Sequence, residues 1–438
     1  MIWFLLCFLM GFAEQSHSDI SPVIVLSLKE AERAALTSSN QVQATFSERD
    51  AQAQRVNAQF ATLWPRLNFE AHYRYQSVVP YISQPAGFQI PLGNHNSYSV
   101  GPTLNWTILD FGASKQSWNS SKSLLRAREF EAANSQKQLI FEVRSAYFRT
   151  ALFLEQMKLV RDSLKLAEAQ YSDIRNRRKV GAASQIDALS FHKEVLSMQR
   201  ELRQARAELV QAMKDLLSLI SRPEMDSSIS WTSETIPNQY IKLDSIAELA
   251  AKLKEPALKI ENHPRIQALA LQAEAQHKAA EGIRSGVLPR IQLNAKASLE
   301  YPNGPILERV QQNTLGVSLS FPLFEFSRTR AEAAEKNLLA QAAEFRKAQA
   351  ESNLLRDYSK AKELLNSLRD QREILAITQQ ETTELSGLVY ESYKAGRSGY
   401  LDVQSANLRA LDARVQTARN EVQILVQLAI LESLTNEN

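Results

Sequence analysis

Residues 113–180 read ASKQSWNSSKSLLRAREFEAANSQKQLIFEVRSAYFRTALFLEQMKLVRDSLKLAEAQYSDIRNRRKV, sixty-eight positions without a glycine or a proline. A helix of that length would reach roughly 100 Å at 1.5 Å per residue, beyond the span of a compact domain. Its apolar residues keep a three-four spacing: Leu139, Val143, Ala146, Phe153, Met157, Val160, Leu164, Ala167, Tyr171 and Ile174, with Thr150 in the one polar place. A 3.5-residue period held this long predicts a helix packed lengthwise on others. Gly181 breaks the run, and Ala182 to Arg222 carries a matching seam of Ala188, Phe191, Val195, Met198, Leu202, Ala205, Leu209, Ala212 and Leu216. The chain is therefore expected to go out along a very long helix, turn at Gly181 and return.

Outward from this hairpin the pattern changes. Ser27 to Trp64 is another run free of Gly and Pro, read as one helix that Pro65 ends. From Arg66 the period is two: Leu67, Phe69, Ala71, Tyr73 and Tyr75 alternate with Arg66, Asn68, Glu70, His72 and Arg74. After a turn-rich segment, alternation resumes with Val100, Pro102, Leu104, Trp106 and Ile108 against Ser99, Gly101, Thr103, Asn105 and Thr107. Two strands, 66–76 and 98–109, are predicted, with one apolar and one polar face.

The second half of the chain repeats the first. Leu288-Pro289-Arg290-Ile291 answers Trp64-Pro65-Arg66-Leu67, and Gly316, Leu319, Glu325-Phe326 and Gly396 answer Gly101, Leu104, Asp110-Phe111 and Gly181 at a constant offset of 215. A second strand pair, 290–301 and 314–323, and a second helical hairpin, 327–434, follow, although Gly387 is expected to interrupt its outgoing helix. The organisation read from sequence is a first repeat at 14–222, a connector at 223–260 holding a short helix near Leu243 to Lys254, and a second repeat at 261–438. A shorter helix of one repeat set end to end with one of the other, 182–222 with the helix near Arg265 to Gly286 and Tyr400 to Leu434 with Ser27 to Trp64, sums to roughly the length of one long helix, which predicts a helical body of uniform height.

Composition narrows the function. The 438 residues hold 13 Gly, 14 Pro, one Cys and a net charge of +3 with both signs interspersed. Nothing points to a nucleic-acid partner, six histidines show no metal-ligand spacing, and no cofactor motif or catalytic arrangement stands out. Gly396-Arg397-Ser398-Gly399 lacks the preceding strand of a nucleophile elbow. Residues 2–12, IWFLLCFLMGF, are too short to span a bilayer as a helix. With Gly11-Phe12-Ala13 as a small-x-small cleavage site they read as a signal peptide, 1–13, although no Lys or Arg precedes them; Leu6 ahead of Cys7 does not suit lipidation. The charged strand residues Arg66, Glu70, Arg74, Arg290, Lys296 and Glu300 all fall on the polar face. The four strands are therefore either an antiparallel sheet with one solvated side or staves of a membrane barrel. Four strands cannot close alone, and three copies give twelve, enough to enclose a lumen.

The Pro-strand starts at Trp64-Pro65-Arg66-Leu67 and Leu288-Pro289-Arg290-Ile291, with the tips Lys179–Asp187 and Lys394–Asp402, resemble the TolC-like outer-membrane efflux family over nearly the whole chain past residue 13. The resemblance implies a mainly α fold with a membrane β-barrel portion: two repeats, each a β-hairpin plus a long coiled-coil hairpin, assembled as a homotrimer into a barrel and helical tunnel. It implies an exit duct for efflux or type I secretion in the outer-membrane lipid, its bulk in the periplasm, working with a periplasmic adaptor protein and an inner-membrane pump. The alternative from the same residues is a soluble periplasmic coiled-coil scaffold.

Two sets of residues are candidates. Val180, Gly181, Ala182, Ala395, Gly396 and Arg397 form the two turns, which the resemblance assigns to adaptor contact. Asp187 and Asp402 stand near helix starts and serve as caps, or, by resemblance, as part of a periplasmic gate with Tyr393 and Ser405. Some family members carry a further acid where this chain has Ser405. Tyr393, Arg397 and Ser398 are the expected contacts that hold the mouth closed.

Overall fold

The computed structural model describes residues 24–83, 89–220, 241–253, 255–257 and 259–435. The signal-peptide reading of 1–13, and the connector reading over 223–240, fall outside them. After a short strand β1 (Ile24–Leu26) come α1 (Leu28–Ser38), α2 (Asn40–Ala61), β2 (Arg66–Tyr75), the small strands β3 (Tyr81–Ser83) and β4 (Gln89–Pro91), and β5 (Asn96–Leu109). Two helices follow, α3 (Ala113–Lys179) and α4 (Gln185–Leu219), then β6 (Ile241–Leu243), α5 (Ile246–Lys252) and α6 (Pro264–Arg284). The rest is β7 (Arg290–Tyr301), β8 (Val310–Ser320), α7 (Arg328–Lys394) and α8 (Tyr400–Leu434).

The helix periodicity is met closely. α3 and α7 are 67 residues each, and α4 and α8 are 35 each. All four bounds repeat at the offset of 215 that the glycines gave.

Four expectations are corrected. The helix expected over Ser27 to Trp64 is two helices, because the Ser39 side chain caps a fresh start by accepting from Val42 N. Gly387 does not interrupt α7, where neighbouring turns carry the helix through it. The final strand is Val310–Ser320 rather than 314–323, and the short helix is Ile246–Lys252 rather than the longer span.

The chain divides into two units, and α3 and α7 contribute to both. One comprises the described residues within Met1–Ala35, Val143–Leu253 and Leu368–Val426. Here the seam residues Val143, Thr150, Met157, Val160, Ala167 and Ile174 are buried, as are Phe191, Val195, Met198, Leu209 and Leu216 facing them. Each fully buried large apolar side chain contributes about 1.5–3 kcal/mol. Burial extends beyond the seam to Tyr147, Phe148, Ala151 and Leu154. Tyr147 also fixes a parallel ribbon formed by β1 and β6. Its hydroxyl donates to Leu26 O and accepts from Asp244 N, both at 2.8 Å.

The other unit comprises the described residues within Leu36–Glu142, Lys254–Ser367 and Gln427–Asn438. Its four-stranded sheet has the order β2-β5-β7-β8, every neighbour antiparallel. Rows run straight across it: Arg66, Asn105, Asn294 and Gly316 share one level, and Asn68, Thr103, Lys296 and Thr314 the next. Gly101 sits where strands crowd, since a Cβ there would lie 2.0 Å from Ala297 O. Ala127, Ala132, Ala268, Ala273, Ala275, Ala280, Ala340 and Ala350 form much of the helical packing, and such small side chains let helix backbones approach closely. Asp110 starts α3: its carboxylate accepts from Gly112 N at 3.0 Å and Ser114 N at 2.8 Å.

Candidate functional site

The tips of both helical hairpins lie in the first unit. Each outgoing helix ends in a Schellman turn: Gly181 N donates to Arg178 O and Ala182 N to Arg177 O, while Gly396 N donates to Tyr393 O and Arg397 N to Ser392 O. Gly181 and Gly396 adopt φ of +76° and +75°, a left-handed conformation that glycine tolerates best. Val180, Gly181, Ala182, Ala395, Gly396 and Arg397 are all exposed. Val180 is 78% exposed, an apolar side chain standing free at the end of a turn.

The two carboxylates serve as caps. Asp187 and Ser184 form a reciprocal capping box, Asp187 N donating to Ser184 Oγ at 3.0 Å and Ser184 N to Asp187 Oδ2 at 3.3 Å. Asp402 accepts from Gly399 N at 2.8 Å and remains exposed, whereas Ser405, one turn further on, is half-buried. A carboxylate that accepts a capping hydrogen bond can also bear on passing ions, so both readings of Asp402 are physically compatible.

Between the two tips lies an aromatic cluster. Phe191 packs on Tyr393 (ring centroids 5.5 Å apart) and on Tyr400 (4.9 Å), over Ile174, Ala188 and Val403. Burial raises the Tyr393 phenol above its ordinary value, and the Asp187 charge adds to this. Burial, with Glu194 adding, pushes Tyr400 up to about 12.

Polar contacts also join the two hairpins. Tyr390 donates its hydroxyl to Asp173 Oδ2 at 2.8 Å, and Arg177 Nε stands 3.4 Å from the same oxygen. Arg177 Nη1 also reaches the carbonyl of Lys394, at 3.2 Å, tying one tip to the other. Burial raises the Tyr390 phenol, and the hydrogen bond to Asp173 and its charge add to that. Of the residues expected to hold the mouth, Tyr393 acts through ring packing and Ser398 donates to Val389 O within its own hairpin at 3.2 Å. At the offset of 215 the counterparts of Asp173, Arg177 and Tyr390 are Leu388, Ser392 and Arg175, and neighbouring positions differ as much, so the repeat does not mark these three.

A short way above the tips a buried polar layer crosses the four helices. Gln404 Nε2 donates to Glu194 Oε2 at 2.8 Å, Asn407 Nδ2 to Gln170 Oε1 at 3.0 Å, and Ser386 Oγ to Asn407 Oδ1 at 2.7 Å.

In the second unit the sheet is a single layer with an apolar face left open. Leu67, Phe69, Leu315 and Val317 are 73, 74, 74 and 68% exposed. Among the described residues no helix is long and apolar enough to cross a membrane.

Long coiled-coil hairpins and an antiparallel sheet with an exposed apolar face define a TolC-like channel of the outer membrane. The sequence profile of the outer membrane efflux protein family matches residues 33–222 and 256–437. The chain belongs to that family. It is 24% identical over 410 residues to the pyoverdine export outer membrane protein OpmQ of Pseudomonas aeruginosa, covering 91% of this chain and 82% of that one. It is 25% identical over 402 residues to the outer membrane protein OprJ of the same organism, covering 89% and 78%. The Campylobacter jejuni CmeC outer membrane channel has a similar fold, with a TM-score of 0.77 at 16% identity over 94% of this chain and 87% of that one.

Proposed function

We propose that three copies of this chain close their sheets into one twelve-stranded barrel, and that each contributes two helical hairpins to a periplasmic tunnel. The observation that carries this is the pair of sheet edges that have no further strand partner among the described residues. β2 and β8 bound the sheet and run in opposite directions, so β8 of one copy can continue the antiparallel ladder onto β2 of the next. Lipid tolerates no unpaired edge, and three sheets form the smallest closed ring with an open lumen. The division into repeats 14–222 and 261–438 about a connector at 223–260 belongs to the same reading.

In this reading Val180, Gly181, Ala182, Ala395, Gly396 and Arg397 meet a periplasmic adaptor, which couples the duct to an inner-membrane pump. Their exposure supports it, as does the free apolar side chain of Val180. Asp402, with Asp187, Tyr393 and Ser405, forms the periplasmic gate. Three Asp402 carboxylates about one axis would favour cations at the mouth. Native mass spectrometry of the protein extracted from outer membranes is expected to give a trimer, and a monomer would refute the barrel. In planar bilayers Asp402→Ala should weaken cation preference, and an unaltered reversal potential would leave Asp402 as a cap alone.

A further inference from the structure

We infer that Arg66 and Arg74 form two rings of unneutralised positive charge inside the barrel and bias it toward anionic cargo, solutes bearing carboxylate or phosphate. This rests on the barrel reading above, and it concerns a region distinct from the hairpin tips.

The polar face of the sheet carries few acids, and those present are already engaged. Glu300 is held by Lys296 Nζ at 3.0 Å and accepts from Ser99 and Ser298. Glu70 lies 3.4 Å from the ring of His72 on its own strand. Arg290, at the foot of β7, feels the Asp110 and Glu325 charges beside it. The guanidinium groups of Arg66 and Arg74, by contrast, have no hydrogen-bond or ion-pair partner among the described residues.

Nor does the strand arrangement offer them one. Both arginines sit on β2, an edge strand, so their remaining neighbour would be β8 of the adjoining copy. β8 reads VQQNTLGVSLS, without a charge at any position, so a joint made within that strand supplies no acid. Glu70 is four residues from each arginine, hence about 13 Å along the strand, beyond the screening length of about 8 Å at physiological salt. Its charge therefore does little to cancel theirs.

The placement suits a filter. Arg66 opens β2 beside the helix end, level with Asn105, Asn294 and Gly316; Arg74 stands near the strand's far end, opposite Ser97. Three copies would set one cationic ring at each end of the barrel. Charged rings with a low-dielectric wall concentrate ions of opposite sign.

The test uses the full chain reconstituted in planar bilayers, with inorganic pyrophosphate added on the barrel side and spermidine as the cationic comparison. Pyrophosphate is expected to block the current in a voltage-dependent way, and more strongly than spermidine does. Arg66→Gln/Arg74→Gln should lose the pyrophosphate block, and Arg66→Lys/Arg74→Lys should keep it. Equal block by the two probes in the parent channel overturns the inference even if the glutamine variant fails to assemble. Undiminished pyrophosphate block in Arg66→Gln/Arg74→Gln overturns it as well. A parent protein that forms trimers but passes no current refutes the channel reading itself, a result distinct from either.

Discussion

Replacing Tyr390 with Phe removes one hydroxyl from the junction between the hairpins and leaves the ring in place. That hydroxyl donates to Asp173 Oδ2 at 2.8 Å, a hydrogen bond to a charged acceptor. Such bonds contribute about 1.5–3 kcal/mol, and the Asp173 side chain is 41% exposed, so the lower end applies. About 1.5 kcal/mol is roughly a tenfold shift in an equilibrium constant. If the closed mouth depends on this bond, Tyr390→Phe should raise the open-state population about tenfold, read as single-channel open probability in planar bilayers. Asp173→Ala should do at least as much, because Arg177 Nε, 3.4 Å away, loses its partner too. The double variant should then exceed Asp173→Ala hardly at all, since the two changes delete the same bond. Fully additive effects, or an unchanged open probability in Tyr390→Phe, would refute this account and leave the contact as packing alone.

Four further outcomes follow from the structure. Gly101→Ala would drive a methyl to 2.0 Å from Ala297 O, and should cost at least about 1–3 kcal/mol, the usual penalty of overpacking; trimer melting in detergent would show it. Leu293→Arg, on the apolar face, should cost about 2–4 kcal/mol near the membrane midplane while Asn105→Arg on the other face is mild, and equal tolerance in urea titrations from liposomes would exclude a lipid-facing sheet. The buried Tyr400 hydroxyl has no hydrogen-bond partner among the described residues, so Tyr400→Phe should stabilise the tips by about 1 kcal/mol. Because burial raises Tyr390, Tyr393 and Tyr400, their contribution is complete below the ordinary phenol value of about 10 and declines as pH rises through the raised values. Stability profiles over pH 8 to 12 on parent and Tyr400→Phe would measure that slope, which the variant should flatten.

Periodicity alone was enough for the long elements. A helix buried along one stripe repeats its apolar residues every three or four positions, and a strand facing two media alternates every second one. The three-four spacing holds from Leu139 to Ile174 in α3, the run free of Gly and Pro carried that helix to Gly181, and the repeat placed the end of α7 at Gly396. The repeat offset then carried every bound from the first hairpin to the second. Local chemistry also marked the caps: Ser184 with Asp187, and Asp402 after Gly399.

What sequence could not supply was which surfaces meet. Tyr147 lies outside the seam, and only the folded chain brings Leu26 and Asp244 to its hydroxyl. The three-residue strands β1 and β6 are too short to carry a period, and they pair across more than two hundred positions. Ser39 broke a predicted helix because its cap outweighed a run that merely lacked Gly and Pro. At the tips, Asp173, Arg177 and Tyr390 sit at helix positions whose polarity fits a solvated face equally well. Packing of one hairpin on the other decided that they meet instead of facing water, because a hydrogen bond between distant residues leaves no periodic trace in either segment.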